Sequence, residues 1–131
     1  MKETPQDYIK RILSNVDGQD PLKVQTRTAR QLERLIKGKA ASQLRRRPAP
    51  DKWSVVEILA HLADCEVVNV WRMRQIISAP GTPIQAFDQD AWAATGSYRK
   101  RDPRKSLEEF SVLRQRNLAW LKSLPPEQWE H

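Results

Sequence analysis

The side chains able to do chemistry concentrate between residues 57 and 65, which read Glu-Ile-Leu-Ala-His-Leu-Ala-Asp-Cys. His61 is one of two histidines in the chain, and Cys65 is the single cysteine. On a helix, positions three and four apart share a face, so Glu57, His61, Asp64 and Cys65 stack along one side. Two carboxylates beside an imidazole favour its charged form. A carboxylate and an imidazole at i, i+3 lie close enough to share a metal ion, which makes His61 a candidate ligand with Asp64 beside it. A thiol and an imidazole at i, i+4 could form a nucleophile and its base, Cys65 served by His61. Plainer readings stand beside these. His61 could be a hydrogen-bonded helix histidine, and Cys65 a small buried residue, since free cysteine is among the most buried types. No Gly-rich turn accompanies the pair. A catalytic divalent metal takes three protein ligands and an open position, and one histidine does not complete such a site.

The element that must carry these groups begins at Ser54. Its hydroxyl can cap a helix while Glu57, three residues on, reaches back to the cap's own N–H. Trp53 and Ile58 are placed to close a hydrophobic staple over the entrance. From Val55 to Ile77 there is no Gly or Pro, which predicts one helix of about six turns. Upstream, Thr4-Pro5 starts a short helix with an apolar stripe at Tyr8, Ile9, Ile12, Leu13 and Val16, ended by Gly18. Asp20-Pro21 starts another, with Leu22, Ala29, Leu32, Leu35 and Ile36 inward and Arg27, Arg30, Arg34 and Lys37 outward. Residues 39–52 read as a connector with Leu44 tucked beneath it. After the break at residues 79–83, residues 84–98 read as irregular, with one helical turn around Asp88 to Ala94 and anchors at Phe87, Trp92 and Tyr98. A loop of this length is either functional or packed over something. Asp102-Pro103 opens the last helix, whose buried face is marked by Leu107, Phe110, Leu113, Trp120, Leu121 and Leu124, with Asn117 the polar member of the row. Pro125-Pro126 stops it. The expectation is a single all-α domain over residues 1–131, with three main helices and a short N-terminal one. The five tryptophans are expected in core and staple positions.

Lys and Arg number 23 against 16 Asp and Glu, a net charge of +7 with a pI near 9.9. Such a balance raises the case for a polyanion partner. The charge is spread along the chain, however, with its densest runs at residues 45–47 and 99–101. No finger spacing or recognition-helix pattern accompanies it, so nucleic acid is not the expected partner and stays a second alternative. One cysteine allows no internal disulfide and fits a reducing compartment. No apolar stretch approaches a signal peptide or a membrane span. A soluble, cytoplasmic protein without membrane contact is expected.

Arg47-Pro-Ala-Pro-Asp-Lys-Trp-Ser54 followed by Glu57-Ile-Leu-Ala-His-Leu-Ala-Asp64 resembles the DinB/YfiT-like superfamily. Phe87-Asp-Gln-Asp-Ala-Trp92 and the segment from Leu107 to Leu124 are similar to the same group. The resemblance covers roughly residues 20–129 and implies an up-down-down-up helical bundle, often dimeric. It further implies a divalent metal, nickel or zinc, held by three histidines. One of these maps onto His61; the others form a His-x-x-x-His pair on a fourth helix. Relatives resemble thiol-dependent transferases or isomerases and hydrolase-like proteins acting on small molecules. The sequence departs from the pattern in having no His-x-x-x-His, so the fourth helix is expected to be lacking and the metal site incomplete. Three helices of a four-helix bundle leave an apolar groove, and monomers seldom expose more than a few hundred Å² of contiguous apolar surface. A homodimer is therefore expected, with a second copy between the long helix and the last one, over Leu59, Leu62, Leu113, Trp120 and Leu121. The specific activity is left unassigned; the alternative to a metal-dependent protein is a non-catalytic helical dimerisation or binding module.

Overall fold

The computed structural model describes residues 2–131. Among these residues there is no strand. Three long helices make the body: α2 (Pro21–Ile36), α4 (Val55–Ser78) and α6 (Pro103–Ser123). The short helices are α1 (Pro5–Ser14), α3 (Ala41–Arg45) and α5 (Gln89–Thr95). The starts follow one rule. Thr4, Asp20, Ser54, Asp88 and Asp102 each accept backbone N–H groups of the first turn, and proline follows three of them, at Pro5, Pro21 and Pro103. These caps satisfy donors that a helix otherwise leaves orphaned.

The core lies where α6 packs along α4 and α2. Ile36 from α2, Leu44 from α3, Val56, Leu59 and Ala63 from α4, and Leu107 and Phe110 from α6 form one buried cluster. Leu44 sits beneath the connector as expected, but through the one-and-a-half-turn helix α3, which the arginine-rich sequence did not announce. Burying seven such side chains is the main cohesive term, at about 1.5–3 kcal/mol for each large aliphatic or aromatic group.

Inside this apolar seam sits a buried ion pair. Arg114 on α6 grips Glu66 on α4 with both prongs, at 2.6 and 2.9 Å, and donates to the Gln25 carbonyl of α2 at 3.2 Å. One guanidinium therefore ties all three long helices together. Asn117, one turn further along α6, is 2% exposed and donates to the Met73 sulfur at 3.3 Å.

Three expectations need correcting. Leu59 and Leu121 are buried within the three-helix core itself, so they are not groove residues awaiting a second chain. The surface left uncovered is instead Val55, Ile58, Val67 and Trp71 on α4, with Val112 on α6. The stripe of α1 finds no cover either: no residue of that helix is buried, and Leu35 of α2 is 69% exposed. Trp71, Trp92 and Trp129 are surface residues, which limits the expectation of core tryptophans to Trp53 and Trp120. Among the described residues no helix is long and apolar enough to cross a membrane.

Candidate functional site

The capping box at the head of α4 forms as the sequence dictates. Ser54 Oγ accepts from the Glu57 N–H at 3.3 Å, and Glu57 Oε1 accepts from the Ser54 N–H at 3.2 Å. Its second partner was not foreseen. Arg47, from the proline-flanked connector, donates to Glu57 Oε1 at 2.8 Å and Oε2 at 2.7 Å. That pairing, and then the Ser54 bonds, hold the Glu57 carboxyl down at about 2. Glu57 is therefore a structural anion that fixes the connector to the helix start, and it takes no part in a site around His61.

Trp53 turns inward just before the cap. Its ring meets His61 edge-on, with centroids 5.0 Å apart, and Tyr98 at 6.0 Å. Ile58 is 42% exposed, so the tryptophan serves as a wall for the imidazole more than as half of a staple. Tyr98 arrives from the long connection between α4 and α6. Ser97 before it adopts φ 50°, ψ 48°, the left-handed region that a serine enters only at a cost. The turn so formed drives Tyr98 to 1% exposure against α4, where its hydroxyl donates to Asp64 Oδ2 at 2.5 Å. Burial first, then the Asp64 bond and charge, push the phenol well above its ordinary range. The same connection is pinned further along by Arg72, which donates to the Gln85 carbonyl at 2.7 Å and lies over the Phe87 ring. Phe87 in turn packs on Trp92, with centroids 4.6 Å apart.

His61, Asp64 and Cys65 thus come together on one face of α4 under Trp53 and Tyr98. The Cys65 sulfur lies 3.4 Å from Nε2 of His61 and 3.7 Å from Nδ1. Burial lowers the His61 pKa, and the Asp64 charge only partly opposes it. This reverses the expectation that carboxylates would favour the charged ring, because Glu57 is spent on Arg47 and Asp64 is shared with Tyr98. Burial also raises the Cys65 thiol, helped by Asp64 and Glu66 against Arg72. A protonated thiol beside a neutral imidazole is a poor nucleophile, since the thiolate is the reactive form. The neutral imidazole is the form that ligates metals and accepts protons. Asp64 also lines an open groove of about 380 Å³ between α4 and α6, with Val67, Glu108, Glu109 and Val112.

A three-ligand metal centre does not fit within one copy. Among the described residues no group of three or more His, Cys, Asp or Glu side chains could hold a metal ion. His131 lies in the exposed tail. Sequence reasoning found His61, Asp64 and Cys65 but missed Tyr98 and Trp53 as walls and Arg47 as the partner of Glu57. The proline-arginine stretch was the available signal for Arg47; Tyr98 offered none beyond its type.

The sequence profile of the DinB superfamily matches residues 25–131. Among solved structures, YfiT from Bacillus subtilis, described as a probable metal-dependent hydrolase with an unusual four-helix bundle topology, is 21% identical with a TM-score of 0.78. The match covers 99% of this chain and 69% of that one, which places the fold. No curated protein matches the chain in sequence.

Proposed function

The chain belongs to the DinB superfamily, and from that premise we propose a bundle protein of the metal-dependent, small-molecule-acting kind in which His61 is the ligand position this chain provides. The observation that carries the reading is the His61 setting: a half-buried imidazole whose charged form burial disfavours, met edge-on by Trp53. YfiT, similar in fold, is described as a probable metal-dependent hydrolase. The ligands a divalent nickel or zinc ion would further need come from outside one copy of the described residues. In this reading the protein is a homodimer, with Val55, Ile58 and Trp71 of α4 covered by the partner and two copies of His61 brought near each other. Metal analysis of purified protein, paired with sedimentation, tests it. Nickel or zinc should co-purify with the dimer and be lost in His61→Ala while the dimer persists. A metal-free protein after nickel or zinc dialysis, with the same result for wild type and His61→Ala, overturns the metal reading.

A second reading, a non-catalytic helical dimerisation module, is favoured by a separate observation. Tyr8, Ile9, Ile12 and Leu13 of α1 form one apolar stripe and all four are exposed. A dimer without metal, dissociated by Trp71→Lys, is its signature.

A further inference from the structure

A second concavity lies away from His61, on a different pair of helices. It is a cleft of about 840 Å³ between α2 and α6, within the range of small-ligand sites. Arg30 and Arg34 fall at i, i+4 along α2, so they project from one face, and both line the cleft with Lys37 from the C-cap of that helix. Arg104, at the start of α6, lines it too. None of these four cations makes a salt bridge among the described residues, although Glu33 and Glu108 line the same cleft. The arrangement contrasts with Arg47 and Arg114, each of which is spent on a buried carboxylate. The cleft therefore gathers positive charge that the fold itself does not use.

The two carboxylates restrict what would suit it. A cleft of cations alone would take any polyanion. Guanidinium groups match phosphate oxygens in two-pronged geometry, while a carboxylate accepts from hydroxyl groups and repels bare anions. Ala29, Ile36 and Leu107 give the cleft an apolar part. We propose that the α2–α6 cleft is a binding site for a small phosphorylated polyol, such as a sugar phosphate, with the phosphate on Arg30, Arg34 and Arg104 and hydroxyls on Glu33 or Glu108. The proposal does not rest on the metal reading at His61, although Glu108 also borders the groove beside Asp64.

Calorimetric titration of the full chain with ribose 5-phosphate, inorganic phosphate and a duplex DNA oligonucleotide tests it at low salt. Ribose 5-phosphate should bind saturably and more tightly than inorganic phosphate. Arg34→Ala and Arg104→Ala should each weaken it about tenfold or more, the loss of one charge-assisted hydrogen bond. Both positions are exposed, and unchanged helicity by circular dichroism verifies the fold. Glu33→Gln combined with Glu108→Gln should erase the preference for the sugar phosphate over phosphate. No saturable binding of ribose 5-phosphate, or binding untouched by both arginine changes, overturns the proposal. DNA binding with a steep salt dependence and no sugar phosphate binding would also overturn it, making the cations a polyelectrolyte footprint. His61→Ala should leave the titration unchanged.

Discussion

The Tyr98 hydroxyl meets Asp64 Oδ2 at 2.5 Å, joining the long connection to the face of α4 that carries His61. The bond does two things at once. It fastens a segment that otherwise holds α4 through Arg72 and a few aromatic contacts, and it occupies the carboxylate that would charge the histidine. Burial then outweighs the Asp64 charge and holds the His61 pKa below that of a free histidine.

Burial and Asp64 pull His61 in opposite directions. Asp64 is the group that raises the His61 pKa against burial, so Asp64→Asn should move it further below the ordinary 6.5. A base with a depressed folded pKa is taken up as a proton site more readily by the unfolded chain. Stability is therefore full above 6.5 and declines as pH falls from 6.5 towards the folded value. Asp64→Asn should widen that declining window, and His61→Gln should abolish its part of it. Following the imidazole resonances by NMR, alongside urea unfolding at a series of pH values, gives both readings. An upward shift in Asp64→Asn would refute the assignment.

Arg47 and Glu57 predict a separate, more acidic limb. The Glu57 carboxyl falls from 4.5 to about 2 in the fold, and its side chain is 3% exposed. A depressed acid contributes stability that is present above 4.5 and lost as pH drops towards 2. The linkage is worth about 3–4 kcal/mol at most, from roughly 1.4 kcal/mol for each tenfold change in proton affinity. Arg47→Ala should destabilise the protein at neutral pH by more than the loss of an exposed pair, because it strands the Glu57 carboxylate. It should also flatten the loss of stability below pH 4.5. Chemical denaturation at pH 7 and pH 3 distinguishes this from a surface pair, whose removal would cost about 1 kcal/mol or less.

The helices were legible because their start signals are local. Asp20-Pro21, Ser54 with Glu57, and Asp102-Pro103 each specify a helix start from within a single turn, and the observed helices begin there. His61, Asp64 and Cys65 were legible as a cluster for the same reason, being one turn apart. What the sequence hid is long-range. Tyr98 and Asp64 are 34 positions apart, and Arg114 and Glu66 are 48 apart, and no periodicity within a helix couples such pairs. The misplaced groove had a similar cause. An apolar residue on α4 reads alike whether α6 covers it, as at Leu59, or nothing does, as at Val67.

Gly96 is the hinge of the turn that delivers Tyr98. A Cβ there would meet the Trp92 carbonyl oxygen at 2.8 Å and the Tyr98 ring at 3.0 Å. Backbone cannot yield as a flexible side chain does, and the Gly96 N–H itself bonds to that same carbonyl at 2.8 Å. Gly96→Ala should therefore destabilise the protein by about 1–3 kcal/mol through overpacking. The damage should concentrate on the connection, so amides of residues 89–98 should exchange faster while those of α6 keep their protection. Equal loss of protection everywhere would count against a local effect.

Arg114 and Glu66 allow the sharpest separation of charge from packing. The Glu66 side chain is 3% exposed and that of Arg114 14%, and the guanidinium also stacks 4.7 Å from the Phe110 ring centroid. Arg114→Ala removes the partner, the contact with Phe110 and the bond to the Gln25 carbonyl together, and should cost about 3–5 kcal/mol. Glu66→Gln alone should cost less, since it leaves Arg114 partly solvated and still bonded to α2. Joining Glu66→Leu with Arg114→Met replaces a desolvated pair by apolar groups of similar length, and exchanges of that kind come out neutral or stabilising. The double variant should then be more stable than Arg114→Ala by about 2 kcal/mol or more. Unfolding free energies of the wild type and the three variants give the comparison. A double variant no better than Arg114→Ala would mean that the bond to Gln25, rather than the ion pair, holds α2 against the other two helices.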